Sequence, residues 1–399
     1  MTARWPPHAP GPLEAGTARG WLPPRYTCGD DAPPPLVGSM FTGCGGLDLG
    51  VATALGGARL AWCADPDPHV RAVLAARMPG VPNLGDVGGV DWRHVPPADV
   101  VTAGWPCQDI SAAGRRAGLE HGARSGLWRH IPPAIAALRP AMVVLENVAA
   151  LRWRGGGLSR VLADLADVGY DCLWTTLRAS DVGAAHPRER VFLLAVPASA
   201  ARPASEAARL RHAALSQAPP RPWPRSGMTC HGTVRPLALL ASQDGGSGSP
   251  PLLPTPQARD YNRAQLPEVR RAGGHQVNLS DVARELAENW DRDGWGRYAP
   301  AIRRWEQIVG RPAPFPAQRT RRGSFRLSPV FAEWMIGLCP EGRVSEVPAL
   351  PYYAMIRILG NGCVPRQAAA ALRQLAGAAA ILWPPAHARP AIQGDDRAA

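Results

Sequence analysis

The stretch Ala98-Asp99-Val100-Val101-Thr102-Ala103-Gly104-Trp105-Pro106-Cys107-Gln108 constrains this chain more than any other. An apolar, β-branched run that begins behind an acid and stops at Gly-Trp-Pro predicts a buried strand with an abrupt end, and Cys107 on the loop just past it. Pro106 fixes φ and cannot continue a ladder, so the thiol is expected on a stiff turn and not inside a sheet. Open α/β sheets keep their chemistry at such strand ends. A free thiol with a pKa of ~8.5 is only slightly ionised at neutral pH, so an attacking cysteine needs neighbours that favour the anion or a substrate made electrophilic.

The same grammar repeats along the chain. A strand from Leu36 to Phe41 leads into Phe41-Thr42-Gly43-Cys44-Gly45-Gly46-Leu47 and a helix through Leu55. Strand, glycine loop and helix start form a corner that accepts an anion or a nucleotide, because missing Cβ atoms let a ligand approach the backbone and the helix N-terminus supplies free N–H groups. A strand from Arg59 to Ala64 ends in Asp65, spaced from Gly43 as an acid that binds ribose hydroxyls would be. A helix over Pro68 to Arg77 follows, and a further acid, Asp86, sits in Leu84-Gly85-Asp86-Val87. Together the glycine loop, Asp65 and Asp86 suggest an adenosine-bearing ligand, whereas either acid alone reads more readily as a solvated loop residue or a cap.

Past Cys107, Ser111 to Leu119 is small and basic, a loop suited to lie near an anion. A helix from Ser125 to Leu138 then leads to Met142-Val143-Val144-Leu145-Glu146-Asn147-Val148, an apolar strand that ends in a carboxylate and an amide. In a parallel sheet Glu146 lies beside the end of the Cys107 strand, where it can serve as a general acid. A helix from Leu158 to Val168, a strand from Tyr170 to Leu177 and the segment His186 to Leu194 complete this α/β half; Arg188 and Arg190 alternate out of a strand start and share one face.

These blocks, taken with Arg326-Leu327-Ser328-Pro329 and Gly360-Asn361-Gly362-Cys363-Val364-Pro365, resemble the DNA (cytosine-5) methyltransferases over roughly residues 36 to 196 and 326 to 382. The resemblance implies an α/β fold of the class I, Rossmann-like methyltransferase type, with a mostly parallel sheet and a small irregular target-recognition domain. It implies that Cys107, presented by Pro106, adds to C6 of cytosine, that Glu146 donates a hydrogen bond or proton at N3, that Arg188 contacts the base carbonyl or supports the adduct, and that Asn147 and Arg190 belong to the same catalytic set. S-adenosyl-L-methionine would be surrounded by Phe41, Thr42, Gly43, Cys44, Gly45, Gly46, Leu47, Asp65, Asp86, Gly104, Asn361 and Cys363. C5 of cytosine is a poor nucleophile; a covalent bond at C6 with a proton at N3 builds enamine character at C5, which can then take a methyl group from a sulfonium. The chain departs from the family pattern at Ser39, where an acid is usual, at Pro66, where an aromatic is common, and at His186, where a glutamine is usual.

Composition bears mainly on the interval between the motif blocks. The net charge is +12 and all 44 basic residues are arginine, a set suited to phosphate and to bidentate contact with guanine. Residues 201 to 325 hold 19 Arg against 10 Asp plus Glu, so +9 of the +12 lies where the motifs are absent. In the family this interval reads the DNA target, and neutralising phosphates requires such a segment. Within it, Leu253 to Tyr261 and Gly273 to Ser280 are expected to touch DNA, Ser242 to Ser249 to be a flexible hinge, and Asn289 to Trp305 to form insert core. A helix from Pro329 through Ile336, capped by Ser328, and an Ala-rich helix to about Leu382 return the chain to the first glycine loop.

The expected organisation is a disordered Pro-rich tail at 1–34, a catalytic and cofactor-binding part at 35–199, a recognition domain at 200–325, a returning part at 326–385 and a disordered tail at 386–399. The eight cysteines include no Cys-x-x-Cys pair, which speaks against a zinc ribbon or a redox dithiol, so no metal is expected. No 18-residue apolar run or signal-peptide core occurs in the sequence, which points to a cytoplasmic protein without a membrane partner. The expected partner is double-stranded DNA, bound by a monomer, with a cognate restriction endonuclease acting separately. Two rival readings are the same chemistry on RNA and a catalytically idle DNA-binding regulator on this scaffold.

Overall fold

In a computed structural model the chain is described over residues 33–106, 125–153, 156–198, 224–230, 233–236, 250–262, 264–338 and 344–382. Cys107, the Ser111 to Leu119 loop, the Ser242 to Ser249 hinge, residues 1–32 of the first tail and the whole of the last lie outside the described residues.

Strands β1 (Leu36–Met40), β2 (Arg59–Ala64), β3 (Val100–Ala103), β4 (Met142–Val148), β5 (Tyr170–Arg178), β6 (Glu189–Pro197), β7 (Gly227–Cys230) and β8 (Thr233–Pro236) form one sheet in the order β2-β1-β3-β4-β6-β5-β7-β8. β2, β1, β3 and β4 pair in parallel; β6 enters antiparallel between β4 and β5, and β7 and β8 extend the sheet as an antiparallel hairpin. All strands except β6 and β7 therefore run one way, which is the mostly parallel sheet that the resemblance implies. The sheet does not stop at residue 199: β7 and β8, taken from the start of the insert, cover the β5 edge, an edge that unpaired would expose its hydrogen-bonding groups.

Helices cover both faces. On one face α1 (Gly46–Ala54) and α11 (Pro365–Leu382) pack on Val37, Val100, Val144 and Leu194. On the other, α3 (Ile131–Leu138) and α4 (Leu158–Asp167) pack on Trp62, Val101, Val143 and Leu193. The expected helix from Ser125 begins as a 3-10 turn, Ser125–His130, and turns α-helical only at Ile131, ahead of Pro132 and Pro133. α2 (Pro68–Arg77) opens as its sequence requires: the Asp67 carboxylate accepts from the amides of His69 and Val70 at 2.9 and 3.2 Å, with Pro68 at the first helical position.

The second half of the insert is more regular than expected. It contains α5 (Pro267–Ala272), α6 (Leu279–Glu288), α7 (Trp290–Asp293), α8 (Ala299–Val309) and a hairpin of β9 (Ala317–Arg319) with β10 (Phe325–Leu327). Leu279, Val282, Ile302 and the fully buried Trp305 share one apolar cluster with Val73 and Leu74 of α2, with α9 (Pro329–Ile336) and with α10 (Tyr352–Asn361). This half of the insert therefore has no separate core; it is built onto the flank of the sheet domain.

Inside the sheet edge one carboxylate ties three elements together. Asp48 of α1, 2% exposed, accepts from Ser39 Oγ of β1 at 2.9 Å and from Thr102 Oγ1 of β3. Burial pushes its carboxyl up to about 6, against which the two hydroxyl donors favour the anion. Because the folded-state value lies above the unfolded one of ~3.9, the folded protein holds an extra proton between them. The associated stability is present below pH ~4 and lost as pH rises through 6, on the order of 2–3 kcal/mol. In thermal melts from pH 4 to 7, Asp48→Asn should remove that part of the pH dependence, whereas Asp48→Ala should destabilise at every pH by about 1–3 kcal/mol by leaving two buried hydroxyls without a partner.

Candidate functional site

The register of the parallel strands builds the site. Met40 of β1 lies opposite both Ala64 of β2 and Ala103 of β3, and Ala103 lies opposite Leu145 of β4. The next residue on each strand, Phe41, Asp65, Gly104 and Glu146, therefore falls in one row across the carboxyl ends, where α/β sheets bind ligands.

At one end of the row the glycine loop turns over Asp65. Phe41 and Gly43 adopt positive φ of 55° and 54°, and the Gly43 amide donates to Asp65 Oδ2 at 3.1 Å. Asp65 Oδ1 accepts from the Asp67 amide at 3.1 Å, and burial raises its carboxyl above the usual range. Thr42 is structural: its hydroxyl donates to the Ser39 carbonyl and accepts from the Ala64 amide, locking the loop to β1 and β2. Asp86 is exposed and caps a single 3-10 turn by accepting from the Gly88 amide at 3.0 Å. A Cβ built on Gly43 or Gly85 meets no atom within 4 Å, so open space lies in front of both loops.

The chain's return closes the back of this corner. Gly46 approaches the Cys363 carbonyl so closely that a Cβ there would lie 2.2 Å from its oxygen, and one on Gly362 would lie 2.8 Å from Cys44 Sγ. Cys44 and Cys363 are buried, which raises both thiols, and Leu47 lies in the apolar core. These three, expected around a cofactor, thus contribute backbone to the corner while their side chains pack inward. Gly45, with φ 75°, caps α1, and Asn361 is exposed at the end of α10.

At the other end of the row stands a carboxylate with a fixed partner. Arg190 enters β6 opposite Val148, on the same face as Glu146, and its Nε lies 3.0 Å from Glu146 Oε1; both side chains are largely buried. Glu146 Oε2 faces Gly104, 3.5 Å from where a Cβ would stand, three residues before Cys107. Asn147, expected to be catalytic, points to the other face, where its buried Nδ2 donates to the Trp105 carbonyl at 3.2 Å and fixes the chain before Pro106.

Arg188 also departs from its expected role. Its guanidinium is buried, pushed down to about 9 chiefly by desolvation, and Nη1 donates to the Pro256 and Gly360 carbonyls at 3.1 Å each. His186 is wholly buried, lowered to about 3 by desolvation with Arg188 adding, and so neutral; Nε2 carries the hydrogen donated to the Met335 carbonyl. Leu253, Pro256 and Asp260 are buried as well, so the Leu253 to Tyr261 segment, expected to touch DNA, turns these three side chains inward. Sequence reading missed Asp48; the available signal was an acid in the first turn of an otherwise apolar helix. Among the described residues no cluster of three or more His, Cys, Asp or Glu could hold a metal ion, and no helix is long and apolar enough to cross a membrane.

Gly46→Ala should push the Cys363 backbone away and lower stability by about 1–3 kcal/mol, read as a fall in the melting temperature. An equal melting temperature for Gly46→Ala and wild type would show that the two chain segments are not in contact there.

Residues 37–225 match the family model of the C-5 cytosine-specific DNA methylases. The chain is similar to the type II methyltransferase M2.BsuMI of Bacillus subtilis, 38% identical over 165 residues, which are 40% of this chain and 41% of that protein. It is likewise similar to the type II methyltransferase M.NlaX of Neisseria lactamica, 32% identical over 157 residues, 39% of this chain and 50% of that one. The match thus spans half or less of the length of these relatives. The Dnmt2 methyltransferase of S. pombe superposes with a TM-score of 0.48 at 13% identity, over 86% of this chain and 98% of that one.

Proposed function

We propose that the protein, whose residues 37–225 match the family model of the C-5 cytosine-specific DNA methylases, transfers a methyl group from S-adenosyl-L-methionine to C5 of a cytosine in a specific duplex DNA sequence. The observation that carries the proposal is the Arg190–Glu146 pair, held beside Gly104 at the end of the strand that leads to Cys107.

The open corner fits an adenosine-bearing cofactor. The glycine loop lets a ligand reach backbone amides at the start of α1, Asp65 ends the strand-end row beneath that loop, and among the described residues nothing lies within 4 Å of a Cβ built on Gly43 or Gly85. Phe41, Gly43, Gly45, Asp65, Asp86 and Gly104 would hold it, with the backbone of Gly46, Cys44 and Cys363 behind. When bound, S-adenosylmethionine supplies an electrophilic sulfonium methyl group.

On the base the chain's own groups do the rest. The target cytosine leaves the duplex stack, at a cost of a few kcal/mol. The Cys107 thiolate bonds to C6 while Glu146, oriented by Arg190, shares a proton with N3, and electron density builds at C5. A positioned acid is worth about 10²–10⁴-fold. Once C5 has been alkylated, loss of its proton and departure of the Cys107 thiolate restore the ring.

The DNA-facing charge is concentrated on the β9–β10 hairpin. From Gln307 to Ala332 the chain has five Arg and no Asp or Glu. Arg321 and Arg322 are exposed at the tip, while Arg319 stacks on Phe325 and Arg326 on Tyr352 at 4.6 and 3.7 Å. A two-stranded ribbon that exposes Arg321 and Arg322 at its tip suits a phosphate backbone. We further propose that it acts as a monomer in the cytoplasm beside a separate restriction endonuclease, the last in keeping with the relatives' names as type II methyltransferases.

Expression in a host free of cytosine methylation, followed by bisulfite sequencing, should show 5-methylcytosine confined to one sequence context. Cys107→Ser should abolish the signal, and Glu146→Gln should reduce it at least 100-fold, the lower bound for an acid of this kind being about 10². An unmethylated genome under the wild-type protein, or methylation of RNA alone when both substrates are offered, would refute the proposal.

A further inference from the structure

One segment of the insert is fastened to the catalytic wall by bonds that packing alone does not require. Between Leu253 and Asp260 the chain runs along the start of β6 as a strap. The Leu253 amide donates to the Ala185 carbonyl at 2.8 Å, and the Arg188 amide donates to Thr255 Oγ1 at 3.0 Å. Arg188 Nη1 then bonds to the carbonyls of Pro256 and Gly360, joining segments 68 and 172 residues away in the chain. Beyond this joint the strap folds back on itself: the Gln257 amide donates to Asp260 Oδ2 at 2.7 Å.

The neighbouring backbone is shaped to admit the strap. At Gly360 a Cβ would lie 2.1 Å from the Gln257 carbonyl carbon and 2.2 Å from the Ala258 nitrogen, so only glycine lets α10 come this close. Gln367 of α11 holds the same point from behind, donating through Nε2 to the carbonyls of Leu177 and Arg188. Arg188 is therefore gripped at its amide, its carbonyl and its guanidinium. Two residues on, Arg190 orients Glu146.

We propose that Thr255 is a positioning residue for the methyl transfer: its hydroxyl sets the start of β6, and through it the placement of Arg190 against Glu146, so that a segment of the recognition insert governs the acid's alignment. This rests on the reading of Glu146 under Proposed function and assigns Arg188 to the joint in place of the base. Misplacing a catalytic group by a fraction of an ångström affects the chemical step more than ground-state binding, so the signature is a loss in kcat at unchanged KM.

The test compares Thr255→Val and Thr255→Ala with Thr255→Ser, measuring kcat and KM on duplex DNA and cofactor affinity by calorimetry. Valine keeps the volume and removes the acceptor, alanine removes both, and serine restores the oxygen. Valine and alanine should each lower kcat about tenfold, equivalent to about 1.4 kcal/mol, with KM and cofactor affinity within about twofold; serine should stay near wild type. Unchanged kcat in the valine and alanine proteins, a serine protein as impaired as valine, or a loss carried by KM would each overturn the proposal while leaving the wild-type activity standing. A wild-type protein that methylates no DNA would instead take down the functional reading, and this proposal with it.

Discussion

The buried carboxylate of Asp48 is the interaction on which the site's geometry depends. It reaches Ser39 near the end of β1 and Thr102 near the end of β3 from the first turn of α1. The glycine loop, the strand tip below it and the strand that leads to Cys107 are thus set relative to one another by one side chain. A buried charge costs several kcal/mol unless it is hydrogen-bonded, so the arrangement has one low-energy form in which both hydroxyls point inward. Ser39 is here the donor to an acid that comes from the helix.

Around that bolt the strand order does the remaining work. Four parallel strands bring Phe41, Asp65, Gly104 and Glu146 into one row. The reversed β6 then delivers Arg190 to Glu146 from the opposite direction, which a further parallel strand could not do, since its start would lie at the far edge of the sheet. The C-terminal return supplies the back wall, and only glycine at 46 allows the Cys363 backbone to come close enough. The glycine-loop corner and the Glu146–Arg190 pair are therefore two ends of a single sheet edge.

Local signals in the sequence were sufficient for most elements outside the insert and for most of that row. Asp67 with Pro68, and Ser328 with Pro329, mark helix starts because capping and fixed φ act within a few residues. β2 and α2 have the bounds that their apolar runs predict, and Glu146 is legible as an acid at the end of an apolar strand. Much of what escaped depends on bonds between distant parts of the chain. The pairing of Asp48 with Thr102, the joint of Arg188 with Pro256 and Gly360, and the addition of β7 to the β5 edge join residues more than fifty apart. None leaves a periodic or capping trace. The Leu253 to Tyr261 segment misled because its Asp260 is buried and serves the segment's own Gln257 amide, while the Pro256 carbonyl accepts from the distant Arg188.

The central claim is that Cys107 attacks a cytosine held by Glu146 beside a bound methyl donor. Duplex DNA with 5-fluorocytosine at the target position tests it most directly, because fluorine at C5 cannot leave as a proton does and the adduct persists. The account predicts a cofactor-dependent covalent complex that survives denaturation, maps by peptide mass to Cys107 and is absent from Cys107→Ser. No covalent complex, or a bond mapped to any other residue, would contradict it.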